Sequence, residues 1–277
     1  MVVINAALMA ALDDPAAVRP FPTVASKLLS IPDSGHADFS ELTTVLECDP
    51  AVCLELLRVA NSSLYGFPGQ INSVRHATVI LGFREVKNLA VSLAAKDVFH
   101  SRDKALGMDL WFHSLGCAVV ARRIAQHWPD ANPDEAFLGG ILHDIGKLVF
   151  LNALGEQYLD VINGCTPFTI TSVEEEHFGI SHEKIGQQCS DKWGLPMHLD
   201  DVIGFHHDLA EAQESQLLNV VQAANCLSRI WGIGCEKRAE GIEDLGRLDL
   251  PVSLEALETA KEPSLDAFEA LKSSCAT

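Results

Sequence analysis

Residues 139–147 read Gly-Gly-Ile-Leu-His-Asp-Ile-Gly-Lys, which sets a histidine, an aspartate and a lysine in an apolar stretch that reads as a buried helix. Adjacent helical residues point about 100° apart, so His143 and Asp144 can reach one ion from two directions. A doublet alone makes no metal site, and the remaining ligands must come from elsewhere in the chain. His113 lies upstream of it, and His182, His206 and His207 lie downstream.

The surrounding pattern is helical almost throughout. Val24, Leu28, Leu29 and Ile31 share a face before Pro32. Asp49-Pro50 opens a helix that runs to about Asn61, with Asp at the N-cap and Pro at N1. Further helices are predicted over 74–81 and 85–98, with Gly82 separating them. In the second half, helices are expected from 109 to about 128, over 134–151 with the doublet inside, and over 158–163, 171–178, 182–193, 199–207 and 217–231. The tail reads as loop plus a helix near 254–260. Strand signals are scarce, so the expected fold is all-α, a helical bundle of two packed subdomains. The expected boundaries are 1–108, 109–235 and a C-terminal helical tail over 236–277.

Composition narrows the function. The chain has 277 residues, is 48% hydrophobic and carries a formal charge of -18. Residues 1–110 hold 9 basic and 12 acidic side chains, and the remainder holds 11 and 26. Such a surface repels phosphate backbones, so no direct nucleic-acid binding is expected, although a small phosphorylated ligand can still enter a locally positive pocket. The eight cysteines form no C-x-x-C pair, and several lie in apolar helical patterns. They read as reduced thiols of a cytoplasmic protein. The apolar start lacks a basic n-region and reads as a first helix ended by Asp13-Asp14-Pro15. No uninterrupted apolar run is long enough to span a bilayer, so no membrane partner is expected.

Imidazole with carboxylate suits Fe, Mn, Zn or Ni better than Ca or Mg. His113 follows Asp109 by four residues, which places both on one helix face. Lys147 can meet a ligand phosphate as a point charge. His36, His76, His100, His127, His177 and His198 lack comparable context and read as surface or locally bonded residues. Arg122-Arg123 reads as a solvated helix face.

From about Pro20 to Trp231 the chain resembles the HDOD family, the HD-related output domains of bacterial signalling. The resemblance rests on Asp49-Pro50, Leu56-Leu57-Arg58-Val59-Ala60-Asn61-Ser62, Ile71-Asn72-Ser73, Ala77 to Leu81-Gly82 and His143-Asp144-Ile145-Gly146-Lys147. It implies an all-helical fold, a regulatory role with a protein partner in a signalling pathway and, in many members, loss of phosphohydrolase activity. The chain is also similar to the HD-GYP phosphodiesterases at His113, His143, Asp144, His182, His206 and His207, with Asp109 matching an upstream acidic ligand. It lacks a Gly-Tyr-Pro signature after His207-Asp208, and Asn225 stands where the HD motif closes on an aspartate.

That substitution bears on ion number. Two divalent ions bring four positive charges, against which Asp144, Asp109 and a bridging hydroxide supply three negatives. A neutral amide at 225 leaves the balance incomplete, so one ion is expected ahead of two, and Asn225→Asp is expected to raise metal occupancy. The favoured reading is a signalling module with a retained metal pocket. The alternative is a metal-dependent phosphohydrolase acting on a nucleotide or cyclic dinucleotide, with Asp144 and Lys147 in catalytic roles. A helical scaffold without any ion is the third reading.

Overall fold

Prolines, glycines and short polar caps cut this sequence into helices. The structure, a computed structural model, describes residues 5–14, 17–32, 39–62, 64–67, 69–235, 245–248 and 250–275, and no strand occurs among them. His36, expected at the surface, lies outside the described residues. The helices are α1 (Ala6–Asp13), α2 (Thr23–Ser30), α3 (Phe39–Glu47), α4 (Pro50–Ala60), α5 (Val74–Leu81) and α6 (Phe83–Ala95), followed by a 3-10 turn at Lys96–Phe99. Next come α7 (Lys104–Ala125), α8 (Pro133–Leu142), α9 (Ile145–Leu154), α10 (Glu156–Ile162), α11 (Ile170–Phe178) and α12 (His182–Trp193). α13 (Met197–Phe205), α14 (Leu209–Glu214), α15 (Gln216–Trp231), α16 (Leu254–Glu258) and α17 (Lys261–Cys275) complete the set. The all-α reading is therefore correct.

The chain forms two compact units, Phe21–Val98 with Leu265–Thr277, and Met1–Pro20 with Phe99–Ser264. In the first, Asp49 caps α4 by accepting from the amides of Ala51 and Val52, both at 3.2 Å. Asn61 donates Nδ2 to Leu57 O and Ile71 O at 2.8 and 2.7 Å, and its Oδ1 accepts from Ile71 N at 2.9 Å. The two separated motifs around Asn61 and Ile71 thus form one clamp. Gly82, at φ 93°, serves as both the end of α5 and the start of α6, a backbone state that L side chains resist.

In the second unit α7 packs against α8 and α15, α9 against α12, and α12 against α13. α1 packs against α9, and Asn152 Nδ2 reaches Ala17 O at 2.6 Å. Arg122, read from sequence as solvated, is half-buried. It bonds Asp134 Oδ1 at 2.7 Å and lies 4.8 Å over the Phe137 ring, tying α7 to α8. α14 and α17 also go beyond the sequence reading. Pro263 falls in the first turn of α17, where a missing N–H costs no helix bond. Residues Pro133–Leu154 are long and apolar enough to cross a membrane by length and composition, and 89% of their most apolar window is buried inside the protein.

Candidate metal centre

The expected continuous helix over 134–151 is interrupted at the doublet. α8 ends at Leu142, His143 keeps helical dihedrals, and Asp144 leaves them at φ -96° and ψ 12°. Asp144 precedes α9 in the N-cap position, but its carboxylate makes no cap bond. That carboxylate turns instead into a group of imidazoles. Both residues are fully buried. Gly146, one turn on, lets α9 and α12 cross closely, because a Cβ there would overlap the carbonyl oxygen of His182. The glycine after the doublet therefore sets how near His182 comes to Asp144.

Asp144 is the hub. Its Oδ1 lies 3.2 Å from His206 Nε2 and 3.4 Å from His182 Nε2, and those two nitrogens are 3.1 Å apart. Its Oδ2 lies 3.3 Å from His113 Nε2, 3.4 Å from His143 Nε2 and 2.7 Å from Lys147 Nζ. The His207 ring centroid is 4.1 Å from that of His206. Asp144, His182, His206 and His207 form one group that can hold a metal ion, and His113, His143 and Asp144 form another. All six residues singled out as ligands from the sequence are thus brought together. Ligand atoms about 2.1 Å from a common ion sit roughly 3.0–3.4 Å apart, the spacing of Asp144 Oδ1, His182 Nε2 and His206 Nε2.

The ring protons can be assigned from their acceptors. Nδ1 of His182 faces Glu174 Oε2 at 2.6 Å, Nδ1 of His143 faces Gly140 O at 2.9 Å, and Nδ1 of His206 faces Ile203 O at 3.1 Å. Each Nδ1–H donates, so each Nε2 turns a lone pair toward Asp144. Burial lowers His113 and His206 to about 3, against the opposing pull of Asp144, and holds His207 well below its ordinary value. Burial alone would raise the Asp144 carboxyl, but its neighbours, the Lys147 ammonium foremost, outweigh it and hold it well below the carboxylate range. Neutral imidazoles thus crowd an anion. Nε2 of His113, Nε2 of His143 and both nitrogens of His207 are buried without a hydrogen bond. An orphaned buried polar atom costs about 1–3 kcal/mol. A cation satisfies one lone pair on each imidazole it binds, so the residues fit a metal ion.

Three supporting residues were not evident in the sequence. Glu174, fully buried, also accepts from His182 N at 2.7 Å and from the Tyr158 hydroxyl at 2.6 Å. Glu183 accepts from His207 N at 2.8 Å. Glu174 precedes His182 by eight residues on a separate helix, and no spacing rule signals that pairing. Asp109 is exposed and lines a cavity of about 700 Å³ beside the centre, together with His113, Asp144, Lys147, Tyr158 and Arg229. It belongs to neither ligand group among the described residues. Asn225 is buried, and its Oδ1 accepts from Arg229 Nε at 3.2 Å. Outside the centre, His177 bonds Val173 O, and His100, His127 and His198 are exposed.

Fold and centre together define an all-helical protein with a buried histidine–aspartate group able to hold a metal ion. The chain belongs to the HDOD domain family, whose model matches residues 18–209. It is 26% identical over 219 residues to an uncharacterized protein of Treponema pallidum, covering 75% of this chain and 42% of that relative's length. Among solved structures, an HDOD domain protein of unknown function from Geobacter sulfurreducens matches at 23% identity and TM-score 0.71, covering 96% of each chain. A protein from Shewanella amazonensis described as a candidate phosphohydrolase matches at 22% identity and TM-score 0.73, covering 96% of this chain and 98% of its own. These likenesses establish the fold.

Proposed function

We propose that this chain is a bacterial signal-transduction module of the HDOD type whose pocket holds one divalent transition-metal ion. The observation that carries the reading is the set of Nε2 lone pairs facing Asp144 from His182, His206 and His143, with no proton to separate them. His182, His206, His207 and Oδ1 of Asp144 would hold the ion. His113 and His143 face the opposite oxygen, where the Lys147 ammonium at 2.7 Å already supplies the positive charge. That competition favours one ion over two. Nitrogen-rich donors with a single carboxylate favour Fe, Mn, Zn or Ni. Cys117 and Cys189 are buried free thiols, in keeping with a reducing cytoplasm. In this reading the output is contact with a protein partner, and the pocket is structural or senses a ligand.

One observation favours a second reading, a metal-dependent phosphohydrolase. The cavity opens directly beside Asp144 and Lys147, so a phosphorylated ligand has room to reach the centre. Such an ion, when bound, lowers the pKa of a bound water toward neutrality. Lys147 would then bind the phosphate, and Asp144 would orient the centre. Elemental analysis of purified protein should give near one equivalent of metal, and an absence of metal refutes both readings. A phosphodiesterase assay with Mn or Fe separates them. Turnover that disappears in His143→Ala overturns the purely regulatory reading.

A further inference from the structure

The sequence resemblance called for an anionic ligand near residue 225, but the structure presents a cation there. Arg229, one helical turn along α15, is fixed through its inner nitrogen by Asn225 Oδ1 at 3.2 Å. Among the described residues, its two outer nitrogens have neither a hydrogen-bond nor an ion-pair partner. The side chain lines the cavity with His113, Asp144 and Lys147, and its charge helps keep His113 unprotonated.

We infer that Arg229, positioned by Asn225, forms with Lys147 a subsite for the phosphoryl group of a small organic monophosphate. A guanidinium held at Nε keeps its outer N–H fork free, the geometry that grips two oxygens of an oxyanion at once. Two cations, buried Lys147 and half-buried Arg229, therefore line the cavity beside the buried carboxylate of Asp144. Asp109 and Asp160 also line it but are exposed to solvent, and they repel further negative charge. Anionic charge is therefore accepted at one end of the ligand only. Leu159, Ile162 and Ile170 supply an apolar wall for its organic body. The volume of about 700 Å³ suits a ligand of nucleotide size, and the two exposed aspartates select against polyphosphates and nucleic-acid strands. The inference rests on the metal reading only for the additional charge an ion contributes.

The test is calorimetric titration of orthophosphate, phenyl phosphate and pyrophosphate into the full chain, both chelator-treated and Mn-loaded. Arg229→Gln is expected to weaken phosphate binding about tenfold in both forms, the loss of one charged hydrogen-bond pair. Arg229→Lys keeps the charge without the fork and is expected to fall between. Phenyl phosphate should bind more tightly than orthophosphate, and pyrophosphate more weakly. Wild-type affinity in chelator-treated Arg229→Gln, or pyrophosphate as the tightest ligand, overturns the subsite. A wild-type protein that takes up no Mn refutes the metal reading instead, and the chelator-treated comparison stays valid.

Discussion

Glu174 grips His182 twice, with Oε2 at 2.6 Å from Nδ1 and 2.7 Å from the backbone amide of the same residue. A side chain held at both its ring and its root cannot swing, and its Nε2 stays aimed at Asp144. The Tyr158 hydroxyl on the other Glu174 oxygen completes the brace.

Loosening that brace should weaken metal binding without removing a ligand. Glu174→Gln is expected to lower metal affinity roughly 10- to 100-fold, the usual cost of losing a carboxylate behind a ligating histidine. Tyr158→Phe leaves both Oε2 contacts in place and should cost less. Competition against a chelating dye measures both, and wild-type affinity in Glu174→Gln would show that the brace does not set ligand geometry.

Lys147 stands against Oδ2 of Asp144, the oxygen that His113 and His143 also face. Lys147→Met removes that charge and opens the second ligand group. The metal-to-protein ratio at saturating Mn should rise from near one toward two by native mass spectrometry. A ratio that does not move would mean that Lys147 is not what limits ion number.

Gly146→Ala tests the crossing of α9 and α12. A methyl group there meets the His182 backbone, so the helices must part. Overpacking of this kind costs about 1–3 kcal/mol. Thermal unfolding should show a lower midpoint, and metal uptake should fall with it because His182 is carried away from Asp144. A variant that loses stability but binds metal normally would contradict this coupling.

The metal-free protein should be most stable at about pH 6.5. His113 and His206 are held at about 3 when folded, and His207 is also lowered. On unfolding each returns to about 6.5, so below that pH the unfolded chain takes up more protons and stability falls with acidification. Glu183 runs the other way. Burial raises it to about 8, so the folded chain keeps a proton that the unfolded chain gives up above 4.5, and its contribution fades as pH climbs through 8. Below about 6.5 three histidines outweigh one glutamate, and between there and pH 8 Glu183 dominates. Urea midpoints measured across this range check the sign, and a steady rise to pH 8 would refute it.

The helices were legible because their signals are local. Asp49-Pro50 and Gly82 each announce a boundary through a cap bond or a backbone state, and α5 and α12 span the residues their periodicity marks. The six centre residues were found through their chemistry and family resemblance. What stayed hidden depends on contacts between distant segments. Nothing local in Glu174 or Tyr158 points to His182, and Arg122 looks solvated until Asp134 is placed beside it. The interruption at Asp144 was hidden for another reason: apolar periodicity continues unbroken through a residue whose backbone leaves the helix.

That interruption has a consequence for how such chains are sorted. A hydropathy screen sees Pro133–Leu154 as twenty-two residues suited to lipid. In the folded protein the surrounding helices take the place of that lipid, and the ammonium of Lys147 neutralises the carboxylate an acyl environment would reject. Asp144 and Lys147, three residues apart within that span, are satisfied by one another inside the protein.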